Sequence, residues 1–184
     1  MIRAARADEL ALINQIERAA DVAFHGVGLG TIADAGPMPI ARLLTYQRSG
    51  RAWVATNDQD EPVAFLLSDV IGDAAHIEQV SVHPYYARQG RGRDLINHAA
   101  TWAQEAGCTA VTLTTYADIP WNAPYYTKLG FHTVPEPEWS PELRRIREHE
   151  TAAGLDINPR VVMRRTLTPA KPTSKTRTIR YGAS

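Results

Sequence analysis

His76-Ile-Glu-Gln-Val-Ser-Val-His83 runs directly into Pro84-Tyr-Tyr-Ala-Arg88-Gln89-Gly90-Arg91-Gly92-Arg93. The first piece, with its β-branched residues, predicts a strand that Pro84 stops. The second predicts a loop carrying two glycines. A helix follows over Arg91 to Ala106, with Leu95, Ile96, Ala99, Ala100 and Trp102 on its apolar side. Glycine lets a backbone approach a ligand and turn its N–H groups inward. The free N–H groups of a helix start, at the positive end of its dipole, make an anion site. Arg88, Arg91 and Arg93 can add charge-assisted contacts. Together these features suit a phosphate or pyrophosphate. Gly-x-Gly alone fits a plain strand-to-helix turn equally well. The stretch is not a GxGxxG fingerprint, since Asp94 and Leu95 follow Arg93, and it lacks the Gly-Lys-Ser/Thr of a P-loop.

Upstream, Ile2 to Ala5 reads as a short strand. Asp8 is a plausible N-cap for a helix carrying Leu10, Ile13, Ile16 and Ala20. A loop with Gly26, Gly28, Gly30, Gly36 and Pro37 leads to a second helix over Pro39 to Gln47. Strands are predicted over Arg51 to Thr56 and Pro62 to Val70, joined by the turn Asn57-Asp58-Gln59-Asp60. Downstream come a strand over Ala110 to Thr115, a helix around Trp121 to Leu129 and a strand over Phe131 to Val134. A helix capped by Ser140 runs to about Ala153, and Arg160 to Leu167 closes as a strand. The charge run Glu142 to Glu150 reads as a solvated helix face. Three strands with short turns up to His83 suggest an antiparallel meander. Strand, helix, strand from His76 to Thr115 suggests a right-handed parallel crossover. The class is α/β or α+β with a mixed sheet.

The chain has 184 residues, and its 20 Lys+Arg balance 20 Asp+Glu to a formal net charge of zero. That length suits one domain over 1–167 with a basic, disordered tail over 168–184. Neutral balance argues against nucleic acid as partner. No apolar run is long enough for a membrane helix, and the N-terminus does not read as a secretory signal, so a cytoplasmic protein is expected. Cys108 stands alone, which excludes an intrachain disulfide and a multi-Cys zinc site. His98, His132 and His149 show no metal-ligand spacing, so no metal is expected.

The chain resembles the GCN5-related N-acetyltransferase (GNAT) superfamily. The family's pyrophosphate loop, Arg/Gln-x-x-Gly-x-Gly/Ala, is similar to Ala87-Arg88-Gln89-Gly90-Arg91-Gly92, with Ala87 departing from the first position. A second segment, Asn122-Ala-Pro-Tyr125-Tyr126-Thr-Lys-Leu-Gly130-Phe131, resembles the family's segment of an Asn followed by Tyr-x-x-x-Gly-Phe. Two matches in order are more specific than either alone.

The resemblance implies a mixed, mostly antiparallel central sheet flanked by helices, with splayed fourth and fifth strands. It implies acetyl-CoA as co-substrate and N-acetylation of a primary amine by direct attack. Val80, Ser81 and Val82 would offer backbone groups to pantetheine. Arg88, Gln89, Gly90, Arg91, Gly92 and Arg93 would hold the pyrophosphate, and Asn122 would bond nearby cofactor atoms. Glu78 is the first candidate for general base and His76 its rival, since residues two apart on a strand share a face. Tyr126, four before Gly130, is the candidate acid, with Tyr125 facing elsewhere. Phe24 and His25 would touch the acceptor, with Trp121 and Trp139 at the same mouth, while Trp53 and Trp102 belong to the core. The acceptor is a small-molecule or protein amine, and the chain a monomer or homodimer. The alternative is a non-catalytic acyl-CoA sensor with the same fold.

Overall fold

Asn57 folds the first hairpin. Its side-chain oxygen accepts from the Gln59 and Glu61 N–H groups at 3.0 and 2.9 Å, between β2 (Ala52–Thr56) and β3 (Pro62–Ile71). The next turn places Gly72 at φ +56°, a backbone setting that side chains resist, and sends the chain into β4 (Ala74–Val82). With β1 (Ile2–Ala4) on the far side of β2, these strands form the expected antiparallel meander. The computed structural model describes residues 1–168; the tail expected over 168–184 lies outside the described residues from 169 onward.

A parallel neighbour needs a long crossover. Here α4 (Arg91–Glu105) carries the chain from β4 to β5 (Ala110–Tyr116), which pairs parallel to β4. Then come α5 (Ala123–Lys128), β6 (His132–Thr133), α6 (Pro141–Ala152) and β7 (Arg160–Thr166). The seven-stranded sheet has the order β1-β2-β3-β4-β5-β7-β6, antiparallel everywhere except β4–β5. This is the mixed, mostly antiparallel architecture expected.

Both faces of the sheet's centre are buried, so β3 begins with the unbroken apolar run Val63 to Leu67. Its alternate side chains serve two layers. Ala64 and Leu66 meet Leu95, Ile96, Ala99 and Ala103 of α4. Phe65 and Leu67 meet Leu10, Ile13 and Ile16 of α1 (Leu10–Asp21) and Leu43 of α3 (Ile40–Arg48). Each fully buried side chain of this size contributes roughly 1.5–3 kcal/mol. Trp53 and half-buried Trp102 pack together in the α4 layer, with ring centroids 5.3 Å apart.

Three local readings are corrected. Asp8 does not cap α1; it lies in a 3-10 turn over Ala7–Glu9. Glu9 does the local work, accepting the Arg6 N–H at 2.8 Å and pairing with Arg3 at 2.6 Å. The glycine-bearing loop is partly helical, with a 3-10 turn over Val22–Val27 and the short α2 (Gly30–Ala33). The charged run on α6 is not simply a solvated face. Arg147 and Glu150 have only 12% and 13% of their side chains exposed. The reason is topological: α1 and α3 cover β2 and β3, and α6 lies over β4, β5 and β7 beside them. Ser140 does cap α6, accepting the Leu143 N–H at 3.3 Å.

Candidate active site

The strands that should part do so. Parallel pairing of β4 with β5 ends at Ile77 and Leu113. Beyond it, β4 stays with β3 as far as Val82, and β5 stays with β7 as far as Tyr116. A wedge opens between Glu78–Val82 and Thr114–Tyr116. A β-bulge sits at its apex: Leu67 pairs with Gln79 while Ser68 pairs with Ile77, leaving Glu78 as the extra residue. The bulge explains why Ile77 and Val80, three apart, both pack on the α4 side. His83 donates its N–H to the Val63 carbonyl. Antiparallel alternation then assigns the Ser81 backbone groups to β3 and turns those of Val80 and Val82 toward the wedge.

The start of α4 closes the wide end. A Cβ on Gly92 would stand 3.4 Å from the Tyr125 hydroxyl and 3.5 Å from Val82 Cγ2. Arg88 and Gly90 hold φ +59° and +80°, so the loop doubles back before the helix. Gly90 is the N-cap and offers no side chain to the first-turn N–H groups, which leaves them for an anion. The three arginines divide. Arg88 is exposed, as is Gln89. Arg91 is turned back, donating to the Thr56 carbonyl at 2.8 Å and lying over the Tyr86 ring at 5.2 Å. It braces the loop. Arg93 leans on Asp94 at 3.1 Å, beside Gly90.

On the opposite sheet face lies a cavity of about 570 Å³. His76 and Glu78 line its floor, Arg42 of α3 one wall, and Glu142, Arg145, Ile146, His149 and Glu150 of α6 its roof. Those α6 positions recur at three- and four-residue spacing, one helical stripe. Glu78 accepts from Arg42 Nη2 at 2.5 Å. Burial pushes the Glu78 carboxyl above its ordinary range, Arg42 opposes that, and the charges of Glu150 and Asp69 add to it. His76 is 2% exposed, and its Nδ1 lies 3.0 Å from Thr112 Oγ1. Burial pulls its pKa down to about 4, so it is neutral at pH 7.

Glu150 organises the end of the cavity. It receives Arg147 at 2.5 Å and Arg160 at 2.9 Å, and the Thr114 hydroxyl donates to it. Arg160 also lies over the Tyr116 ring at 4.7 Å.

Tyr126 packs edge-on to Phe131 at 5.8 Å and to Tyr125 at 5.6 Å. Burial raises its phenol well above the usual range, so it stays protonated. Tyr125 does not face elsewhere: its hydroxyl approaches Gly92 at the cofactor-loop helix. Both rings pack against the core on the α4 side of the sheet. Asn122 is the N-cap of α5; its carbonyl accepts from Tyr125 and Tyr126, and its side chain makes no cap bond.

Phe24 and His25, the residues expected to touch the acceptor, lie apart from the Glu78 cavity. Phe24 stacks edge-on to Tyr116 and Trp121 at 6.2 and 5.9 Å. His25 pairs with Asp34 at 3.3 Å within its own segment. Neither lines the 570 Å³ cavity. Trp139 is not at the mouth either; its Nε1 donates to the Val134 carbonyl, and it packs with Leu143 and Val162. The sequence reading missed Arg42 and the α6 stripe. Arg42 meets Glu78 across 36 positions, which no local pattern signals. The α6 stripe was visible as the spacing of Glu142, Arg145, His149 and Glu150, but charge hid it. Among the described residues, no helix is long and apolar enough to cross a membrane. No group of three or more His, Cys, Asp or Glu among them could hold a metal ion.

The parallel β4–β5 pair thus splays beside a glycine-bounded helix start that no side chain caps. The sequence model of the Acetyltransferase (GNAT) family matches residues 17–131, and the chain belongs to that family. It is 35% identical over 79 residues to the peptidyl-lysine N-acetyltransferase YjaB of Salmonella typhimurium, covering 43% of this chain and 48% of that protein. The chain thus spans about half the length of that curated relative. Among solved structures it resembles the ribosomal-protein-S18-alanine N-acetyltransferase of Escherichia coli, with TM-score 0.62 and 20% identity over 94% of this chain and 97% of that one. It also resembles the PaiA N-acetyltransferase of Thermoplasma acidophilum in complex with coenzyme A, with TM-score 0.65 and 14% identity over 90% and 98%.

Proposed function

We propose that the protein transfers the acetyl group of acetyl-CoA to a primary amine by direct attack. The observation that carries this reading is the wedge itself. A slot between β4 and β5 ends at the unsatisfied N–H groups of α4 on one side, and at Glu78 on the other. Family membership and a coenzyme A complex among structures of the same fold support it.

The roles follow from position. The pyrophosphate lies on the turn from Arg88 to Arg93, where Gln89, Gly90 and Gly92 bring backbone close and Arg88 and Arg93 add charge. The Val80 and Val82 backbone groups, and the Asn122 side chain, hold the pantetheine arm. Ser81 braces β4 against β3. Glu78 removes a proton from the acceptor ammonium, directly or through water. The free amine attacks the thioester carbonyl, and the tetrahedral centre collapses with loss of the thiolate. Tyr126, protonated at neutral pH, donates its proton to that thiolate and regains one, through solvent, as the acylated nitrogen sheds its second proton. His76, neutral and nearly sealed, props the floor beneath Glu78 through Thr112.

Thermal unfolding with acetyl-CoA, with NAD and ATP as controls, tests the cofactor. At 100 times Kd a single site adds roughly 2.7 kcal/mol. That raises Tm by about 5–11 °C for a domain of this size. Gly90→Ala should shrink the rise, because a Cβ there meets Arg93 Nη2 at 2.8 Å and the backbone holds φ +80°. No rise, or a larger one with NAD or ATP, refutes the assignment. Binding without turnover over a broad amine panel supports the sensor reading instead.

Tyr126→Phe separates chemistry from binding. It should lower kcat by about 10²-fold with little change in KM for acetyl-CoA. Full activity in that variant removes Tyr126 from the acid role and turns attention to Tyr125.

A further inference from the structure

We propose that the Arg42–Glu78 pair recognises the head of a zwitterion, so that the acceptor is a small α-amino acid rather than a polyamine or a lysine side chain. The inference rests on the proposed role of Glu78 and names the substrate class of that site.

Three observations carry it. First, the cavity holds about 570 Å³, within the range of small-molecule sites, with α6 along one side. A single amino acid fits a space of that size. Second, the charged lining balances. Arg42, Arg145 and Arg160 face Glu78, Glu142 and Glu150, three of each sign, and each arginine touches one of the carboxylates. A polyamine needs an excess of carboxylate, which this lining lacks. Third, Glu78 and Arg42 are in contact at 2.5 Å, but they differ in exposure: 27% for the Glu78 side chain and 51% for Arg42. Arg42 spends Nη2 on Glu78, and guanidinium offers five N–H donors in a planar fork. An α-amino acid carries its ammonium and carboxylate on one carbon. An ammonium set on Glu78 therefore leaves the carboxylate beside the free edge of Arg42. The ligand's charges sit against the protein pair in opposite order, each ion meeting its counter-ion.

A carboxamide of the same amino acid keeps the amine and loses the anion. With purified full-length protein and acetyl-CoA, CoA release is followed for a set of α-amino acids, their α-carboxamides, spermidine and Nα-acetyl-lysine amide. The acids should exceed their amides in kcat/KM by roughly ten- to hundredfold, the scale of a hydrogen bond to a charged group. Arg42→Gln should collapse that acid-to-amide ratio toward one, and Arg42→Lys should restore part of it. The ratio cancels any change in Glu78 basicity, because both acceptors use the same base. The acetyl-CoA thermal rise shows that each variant remains folded. Equal use of acid and amide by the wild type overturns the inference. So does an unchanged ratio in Arg42→Gln, or preference for spermidine or the lysine derivative. Acetylation of none of the panel, with the thermal rise intact, also overturns it while the cofactor assignment stands. Loss of the thermal rise in the wild type overturns the functional reading beneath it.

Discussion

Glu78→Gln is expected to lower kcat/KM for the acceptor by about 10²–10⁴-fold, the range for removal of a general base. The substitution keeps shape and can still accept from Arg42, so the wedge and the acetyl-CoA thermal rise persist. What disappears is proton acceptance. The pH dependence makes the result specific. The Glu78 carboxyl must be ionised to act, so the wild-type rate climbs with pH through its pKa. Burial sets that pKa above the ordinary carboxylate value of 4.5, against the pull of Arg42. The rising limb therefore lies above pH 4.5. Removing the Arg42 charge disfavours the carboxylate further, so Arg42→Gln moves the limb to higher pH. His76 predicts otherwise. Its pKa of about 4 places any limb it causes lower, and leaves it a weak base at pH 7. Rate profiles for the wild type, Glu78→Gln and His76→Gln decide the matter. A Glu78→Gln enzyme that keeps both rate and limb removes Glu78 from the chemistry.

The same strand shows how far sequence reading reaches. Its apolar residues and Pro84 located β4 and its end closely, because strand periodicity and proline are local signals. The glycines at 90 and 92 located the helix start for the same reason. The bulge was not legible. One extra residue leaves composition untouched and becomes visible only when Leu67 and Ser68 on β3 choose Gln79 and Ile77 as partners. The shared-face argument for His76 and Glu78 assumed a regular strand. Both do line one cavity, but at different depths, 2% exposed for His76 against 27% for the Glu78 side chain. Arg42 escaped for a related reason, being brought to Glu78 only by packing of α3 on the sheet. The α6 face was misread because charge density is a local property, whereas exposure depends on what the helix lies across. Phe24 and His25 were assigned by family habit rather than by residue chemistry; Phe24 packs with Leu29 and Ile119, and His25 meets Asp34.

That misread helix yields the second large effect. Glu150→Ala is expected to destabilise the protein by about 3–5 kcal/mol, the range for removing one member of a buried ion cluster. Its carboxylate is 13% exposed and lies between Arg147, 12% exposed, and Arg160, 10% exposed. Removing it leaves Arg147 with Asp156 and leaves Arg160 without its carboxylate. The arginines cannot shed charge, since a guanidinium stays protonated. Arg147 Nε already lacks a partner, and Asp156 would be the carboxylate left to Arg147. Arg160 would keep only its contacts with Thr114 and the Tyr116 face. At about 2–4 °C per kcal/mol, Tm falls by roughly 6–20 °C. An exposed pair on the same helix supplies the control. Arg145 is 69% exposed and meets Glu142 at 3.2 Å, so breaking that pair should leave Tm nearly unchanged. Calorimetry on the two variants separates a buried cluster from surface decoration. Equal, small shifts would mean that α6 is held by Leu143 and its apolar neighbours alone. A large shift confined to Glu150→Ala means that α6 is fixed beside Glu78 by charge, and that an apparently solvated run of residues shapes the cavity.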